Sequence, residues 1–150
     1  MLTEKLKQFS NEVGSKIYFD YDLKKSNWFN IGGKTKIYFK PDNLPDLILF
    51  LKRFGKEEKI HILGAGSNTL IRDGGIKGVT IKLSSKFSYI NLLEDNVIEA
   101  GAATLDKKVS NFALEHSSTG YEFLSCIPGS IGGAITMNSG CYEADISKIL

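Results

Sequence analysis

The sequence predicts an α+β fold in which helices and strands are mixed without regular βαβ alternation. Several segments have the spacing of amphipathic helices, and several others, rich in β-branched and aromatic residues, are typical of strands. Some of the strand segments follow one another directly, without the helices that a doubly wound parallel sheet requires between them. A chain of 150 residues is long enough to bury a core of this kind.

The first part of the chain is predicted to contain helices and strands in turn. Apolar residues recur at helical spacing over residues 2–13, which predicts an amphipathic helix. The runs at 16–22 and 35–41 are typical of strands. Residues 43–54 combine capping residues, an early proline and an apolar face, and they predict a second helix. The strand expected at 59–63 leads directly into a glycine-containing stretch.

The following part is predicted to contain three more strands and a helix. The strands are expected at 78–83, 87–93 and 96–102, with a turn around Asp95 joining the last two. Residues 104–120 predict the helix. Its start is expected to be capped by Thr104, its end to fall at Gly120, and its buried face to consist of Leu105, Val109, Phe112 and Ala113.

Composition excludes several classes of function. Nineteen Lys and Arg residues are scattered along the chain and the net charge is +2, which argues against a nucleic-acid-binding surface. No apolar run is long enough for a membrane span, and the charged N-terminal segment is not a signal peptide. The two cysteines, Cys126 and Cys141, form no metal-ligand set with His61 or His116, so we expect two reduced thiols, structural histidines and no metal site.

A first glycine-rich stretch, NWFNIGGKTK at 27–36, contains GGKT and invites interpretation as a phosphate-binding loop. That motif requires a glycine five positions before Gly33, where this chain has Trp28. The residues that follow are predicted to be extended, whereas the motif opens a helix. A nucleoside triphosphatase is therefore disfavoured.

A second stretch, ILGAGSNTLIRDGG at 62–75, begins like a dinucleotide-binding fingerprint with Gly64 and Gly66. Thr69 stands in place of the third glycine, and no long helix is predicted to follow. Two glycines followed by Ser67 and Asn68 nevertheless favour a tight turn with exposed N–H groups, which suits anionic oxygens such as those of a pyrophosphate. A simple turn between two strands is the alternative.

A third stretch, IPGSIGGAITMNSG at 127–140, contains a dense cluster of glycines. Its beginning predicts the start of a helix with Ser130 as the cap. Gly132 and Gly133 would leave one side of the first turn bare. A bare turn could offer free N–H groups and room for a flat or charged ligand, or it could permit close packing of the helix against a sheet. The residues alone leave both alternatives open.

The order and the sequences of these stretches resemble the N-terminal half of the UDP-N-acetylenolpyruvoylglucosamine reductase family, also called UDP-N-acetylmuramate dehydrogenases. The resemblance covers roughly residues 22–150 and is carried above all by LGAGSN and IPGSIGGAITMNSG. It implies a truncated FAD-binding domain of the vanillyl-alcohol-oxidase (PCMH) type at 27–150, preceded by a helix and a lead-in strand at 1–26. It further implies non-covalent FAD and NADPH as the hydride donor, in a cytoplasmic bacterial enzyme.

The resemblance also assigns residues to the cofactor. It places one group at the FAD pyrophosphate, namely Gly64, Gly66, Ser67, Asn68 and Thr69. It places a second group along the flavin, namely Ile127, Pro128, Gly129, Gly132, Gly133, Ala134, Met137 and Asn138. The chain departs from the family pattern at several positions in the third stretch. Cys126 and Glu143 stand where the family usually has glycine, and Cys141 stands where it has alanine.

The family converts UDP-N-acetylglucosamine enolpyruvate to UDP-N-acetylmuramate in peptidoglycan synthesis. Its active-site arginine, serine proton donor and glutamate match nothing in residues 1–150, and its C-terminal substrate-binding domain is absent. We therefore expect no catalytic residue in this chain and no activity from it alone. Two alternatives are the FAD module of another oxidoreductase and a non-catalytic flavin-binding fragment.

Overall fold

The structure is a computed structural model that describes residues 2–150 and, from Glu4 onward, their side chains. The helix predicted over 2–13 includes Leu2 on its apolar face, and the side chain of Leu2 lies outside the described residues. The described chain divides into two compact units. Unit 1 contains the residues up to Leu63 together with Thr69–Ser84, and unit 2 contains Gly64–Asn68 together with Ser85–Leu150.

Unit 1 contains two helices and a four-stranded mixed sheet. The helices are α1 (Leu2–Glu12) and α2 (Leu44–Phe54). The strands are β1 (Lys16–Asp22), β2 (Lys34–Lys40), β3 (Ile60–Ile62) and β4 (Ile76–Ile81). Their order in the sheet is β1-β2-β4-β3. The β1–β2 pair is antiparallel, and β4 is parallel to both β2 and β3.

Aromatic side chains form the core of unit 1. Phe9 on α1, Phe39 on β2 and the pair Phe50 and Phe54 on α2 are all buried. The rings of Phe39 and Phe50 stack with their centroids 4.3 Å apart, and Phe9 meets Phe54 edge-on at 5.5 Å. Helix α2 is fixed at its start by Asn43, whose side chain accepts the backbone N–H of Asp46 at 2.8 Å. The predicted helices and strands of this unit are confirmed to within a few residues.

The glycines of the first glycine-rich stretch are explained by packing within unit 1. Gly33 donates its backbone N–H to the carbonyl oxygen of Arg72 at 3.0 Å, and a β-carbon at Gly33 would collide with the carbonyl of Asp73. Gly32 has φ +115°, and a β-carbon there would lie 2.7 Å from that of Ile71. Strand β2 follows at once, so the extended segment expected after this stretch is confirmed.

Unit 2 contains two short hairpins and two helices. The hairpins are β5 (Ile90–Leu92) with β6 (Ile98–Ala100), and β7 (Gly140–Cys141) with β8 (Ala144–Asp145). The helices are α3 (Asp106–Glu115) and α4 (Ile131–Met137). The buried core consists of Val109, Phe123, Leu124, Ile131, Ala134 and Ile146. The antiparallel β5–β6 pair is confirmed, but both strands are shorter than predicted because residues 85–87 and 94–96 form 3₁₀ turns.

Three expectations about α3 are wrong. Thr104 does not cap the helix, because its hydroxyl is used by Tyr89, and Leu105 occupies the cap position without a side-chain bond. Leu105 is 45% exposed and lies outside the buried face, although Val109 and Ala113 are buried as expected. The helix ends at Glu115, well before Gly120.

The α+β class predicted from the sequence is confirmed by this mixture of elements. Among residues 2–150, no helix combines the length and apolar character needed to cross a bilayer. The division into residues 1–26 and 27–150 stays a prediction.

Candidate functional site

The second and third glycine-rich stretches meet within unit 2. A β-carbon built on Gly64 would lie 3.1 Å from the Ser130 hydroxyl oxygen and 3.8 Å from the α-carbon of Gly133. The turn that begins at Gly64 therefore runs directly past the first turn of α4. A side chain at residue 64 would be in tight contact with the Ser130 hydroxyl, so glycine suits this approach of the two segments.

The turn at 64–68 presents unused hydrogen-bond donors. Gly66 has φ +79°, a left-handed conformation that favours glycine. The backbone N–H groups of Gly66, Ser67 and Asn68 donate no hydrogen bond to any residue that the structure describes. Ser67 is half-buried and Asn68 is exposed. Successive N–H groups in such a turn can bind the oxygens of a phosphate or pyrophosphate.

The start of α4 is held by the rest of unit 2. Leu105 and Ser130 form an antiparallel bridge, and the N–H groups of Ile131 and Gly132 donate to the carbonyl oxygens of Thr104 and Ala102, both at 2.9 Å. Of the two alternatives left open for this turn, free donors do not apply to its first two residues, whose N–H groups are used within unit 2. Ser130 occupies the cap position as expected, but its side chain makes no capping bond.

The glycines of the third stretch serve two different purposes. A β-carbon at Gly129 would collide with the carboxyl of Asp106, and one at Gly132 would lie 3.1 Å from both the β-carbon and the carbonyl oxygen of Ala102. A β-carbon at Gly133 would meet only the Ser130 hydroxyl oxygen, at an ordinary contact distance of 3.5 Å. Internal packing thus accounts for Gly129 and Gly132, whereas the side of the helix at Gly133 is open.

Asp106 is a residue of this region that the sequence did not single out. It is fully buried at the first position of α3, and neither carboxyl oxygen has a hydrogen-bond partner of good geometry among the described residues. Burial raises the pKa of the Asp106 carboxyl to about 6, and the backbone of Gly129 opposes this in part. No sequence signal distinguishes Asp106, because an aspartate in the first turn of a helix is common. Only its burial in the folded structure does.

The other predicted cofactor residues differ in exposure. Met137 is 73% exposed on α4, whereas Ala134 is buried in the core of unit 2. Asn138 ends α4 in the left-handed conformation, with φ 45°. Pro128 is exposed and Ile127 is half-buried. Thr69 begins the second segment of unit 1.

The two histidines, expected to be structural, lie on different elements, and their structural role stays a prediction. The ring of His116, at the end of α3, bonds to the carbonyl oxygen of Phe112 at 2.8 Å, and His61 lies in strand β3. Within the part of the chain that the structure describes, no cluster of three or more His, Cys, Asp or Glu side chains could hold a metal ion.

Comparison with known proteins identifies the family to which the chain belongs. The model of the family described as FAD binding domain matches residues 35–149. The chain belongs to this family. The FAD-binding domain predicted from the sequence is thereby confirmed.

The curated relatives described next share the name UDP-N-acetylenolpyruvoylglucosamine reductase. The chain is 63% identical over 150 residues to the UDP-N-acetylenolpyruvoylglucosamine reductase of Pelagibacter ubique (strain HTCC1062), covering 100% of this chain and 50% of that protein. It is 44% identical over 131 residues to the enzyme of the same name from Rickettsia canadensis (strain McKiel), covering 87% and 44%. The chain thus spans about half the length of the curated relatives that it matches.

A solved structure is similar as well. The crystal structure of UDP-N-acetylenolpyruvylglucosamine reductase from Thermus caldophilus aligns with a TM-score of 0.70 at 27% identity, covering 87% of this chain and 44% of that one. The similarity lies in the N-terminal half of these reductases, as the sequence predicted.

Proposed function

We propose that this chain is the FAD-binding part of an NADPH-dependent reductase that converts UDP-N-acetylglucosamine enolpyruvate to UDP-N-acetylmuramate in bacterial peptidoglycan synthesis, in the cytoplasm. The single observation that carries the proposal is the approach of the Gly64 turn to the open side of α4 at Gly133. The names of the similar proteins support the choice of substrate.

The turn at 64–68 fits the pyrophosphate of FAD. Its three unused N–H groups, at Gly66, Ser67 and Asn68, suit anionic oxygens, and Thr69 follows directly in the chain. The hydroxyl of Ser67 and the amide of Asn68 could add further hydrogen bonds.

The open side of α4 fits the planar ring system of FAD. At Gly133 no side chain stands between the backbone and a flat ligand, and a β-carbon there would have only one neighbour. Gly129 and Gly132 would support this surface indirectly, by letting Asp106 and Ala102 hold the helix start in place. In this proposal Ile127, Pro128, Met137 and Asn138 border the ring, and Ala134 supports it from within the core.

The chemistry would be a hydride transfer. FAD, when bound, would accept hydride from NADPH and deliver it to the enolpyruvyl double bond. The residues of this chain would bind and orient the cofactor and contribute no proton. In the family, the proton donor and the substrate-binding domain match nothing in residues 1–150. We therefore expect these residues alone to show no turnover.

A binding experiment tests the cofactor assignment. The chain should bind FAD in strong preference to FMN, because the pyrophosphate and adenylate would supply most of the binding. Since no covalent bond is proposed, acid should release all of the yellow chromophore. Equal affinity for FMN, or colour retained on the denatured chain, would contradict the assignment.

A substitution tests the open surface. Gly133→Leu should abolish FAD binding without lowering the thermal stability of the cofactor-free chain. If the side of the helix at Gly133 is instead closely packed, the branched side chain should destabilise the protein by roughly 1–3 kcal/mol. Equal loss of stability and binding would then argue against the site.

Activity assays separate the alternatives. Oxidation of NADPH that depends on UDP-N-acetylglucosamine enolpyruvate should appear only when a chain carrying the family's C-terminal half is added. Reduction of a different substrate would identify the FAD module of another oxidoreductase. Stable FAD binding without turnover in either mixture would identify a non-catalytic flavin-binding fragment.

A further inference from the structure

The two cysteines of the chain stand at the two ends of the 127–140 stretch. Cys126 is the last residue of the 3₁₀ turn Glu122–Cys126, and Cys141 is the last residue of β7. The turn and the strand pack against each other within unit 2. Both thiols are free, and the Cys126 thiol is close enough to that of Cys141 for the two to interact electrostatically.

The surroundings of the two thiols differ. Cys126 is exposed, and its sulfur lies 3.6 Å from the hydroxyl oxygen of Ser125. Cys141 is half-buried and packs against the core of unit 2. Burial, and after it the neighbouring Cys126 thiol, raises the pKa of the Cys141 thiol. A soluble oxidant would therefore reach Cys126 first, with Cys141 held beside it.

We propose that Cys126 and Cys141 are a reversible redox pair, which a hydroperoxide converts to a disulfide that ties the two ends of the 127–140 stretch together. The sequence contains two cysteines, so an intrachain disulfide can join no other pair. The proposal concerns the protein alone and does not depend on the assignment of FAD.

The reaction balances with hydrogen peroxide as the oxidant. The Cys126 thiolate attacks one peroxide oxygen, the O–O bond breaks, and the departing hydroxide takes up a proton, which leaves a sulfenic acid and one water. The Cys141 sulfur then attacks the Cys126 sulfur, and the S–O bond breaks as the S–S bond forms. The departing hydroxide takes the Cys141 proton as a second water. A dithiol reverses the step by exchange.

The disulfide would restrict motion in the enclosed stretch. Residues 127–140 include α4 and the loop that leads into it, and the bond would close them into a ring. Closing such a ring removes conformations that the open chain can reach. Backbone amides in the stretch should therefore exchange with solvent more slowly in the oxidised chain.

The test uses the full chain, fully reduced and then treated with hydrogen peroxide. Both thiols should become unreactive to maleimide, peptide mapping should recover one peptide joining Cys126 to Cys141, and dithiothreitol should restore both thiols. Amide exchange in 127–140 should slow several-fold, while exchange in unit 1 stays unchanged. Two free thiols after treatment, or a disulfide that joins two chains, would overturn the proposal.

Two variants assign the roles of the thiols. In Cys141→Ser the sulfenic acid on Cys126 has no partner, so dimedone should capture it. In Cys126→Ser the shielded Cys141 should oxidise many-fold more slowly. Equal dimedone labelling of both variants would contradict the order of attack and overturn the pairing.

Discussion

The carboxyl group of Asp106 occupies the space where a β-carbon at residue 129 would have to stand. The two residues are also joined through their backbones, since the Asp106 N–H donates to the Gly129 carbonyl oxygen at 3.2 Å. The start of α3 and the loop that leads into α4 are thus fixed against each other. A side chain cannot be added at residue 129 without displacing the Asp106 carboxyl.

Asp106 should make the stability of the protein depend on pH. Its folded pKa of about 6 lies above its ordinary value of 3.8, so the folded chain holds the proton more tightly than the unfolded chain. The contribution of the protonated Asp106 carboxyl to the free energy of unfolding is fully present below about pH 4. It is lost as the pH rises through about 6, a change of roughly 3 kcal/mol. Urea unfolding at about pH 4 and about pH 7.5 measures the difference.

Asp106→Asn is the matched control for that measurement. The amide has nearly the same shape and does not titrate. The free energy of unfolding of this variant should therefore lack the fall between those two pH values that Asp106 causes in the parent chain. Identical pH profiles for the variant and the parent chain would show that the proton is bound elsewhere.

Gly129→Ala and Gly133→Ala should have opposite effects on the cofactor-free chain. The first must displace the Asp106 carboxyl, and we expect a loss of about 1–3 kcal/mol. The second adds a methyl group in open space inside a helix, where alanine is favoured over glycine by roughly 0.5–1 kcal/mol. Chemical denaturation of the two variants side by side measures both changes. A similar loss in both would mean that Gly133 is packed as tightly as Gly129.

Thr104→Val should destabilise the protein although it preserves the shape of the side chain. The Thr104 hydroxyl accepts the Tyr89 N–H at 3.1 Å and donates to the Tyr89 carbonyl oxygen at 3.0 Å. Without it, a partly buried N–H loses its acceptor, at a cost of about 1–3 kcal/mol. Thr104→Ser keeps the hydroxyl and should retain much more stability, as thermal unfolding would show. If Thr104→Val unfolds at the same temperature as the parent chain, the two hydrogen bonds contribute nothing to stability.

The same threonine shows where prediction from sequence succeeds and fails. Helix α2 was predictable because its cap, proline and apolar face lie within a few residues of one another. The partner of Thr104 lies fifteen residues away on the edge of a hairpin, and nothing local distinguishes it from a capping residue. A local signal can place a helix, but it cannot identify a bond between distant segments.

The glycines of the candidate site illustrate the same limit. The turn at Gly66 was predictable, because a left-handed residue in a short polar stretch is a local property. The difference between Gly129 and Gly133 depends on Asp106, which folding brings to one of them and not the other. Family resemblance identified the stretch, and only the packed structure separates the two glycines that packing requires from Gly133, where it leaves room for a β-carbon.

Glu143→Gly should stabilise the β7–β8 hairpin. The two turn residues, Tyr142 and Glu143, both have positive φ, at 52° and 63°, as a type I′ turn requires. A residue with a side chain pays roughly 1–2 kcal/mol for this conformation, and glycine avoids most of that cost. We expect a higher Tm for Glu143→Gly. Glu143→Ala keeps the β-carbon and should show no such gain, so equal shifts in both variants would rule out backbone strain as the cause.

Residues 64–68 belong to unit 2, although the chain on either side of them belongs to unit 1. A gene fusion that transferred only residues 85–150 to another protein would leave the Gly64 turn behind, and one that transferred residues 1–84 would carry the turn away from α4. No single recombination breakpoint between the Gly64 turn and the loop that leads into α4 can therefore move the candidate site intact. We therefore expect natural recombination, and engineered transfer of the domain, to succeed only when residues 64–150 are moved as one segment.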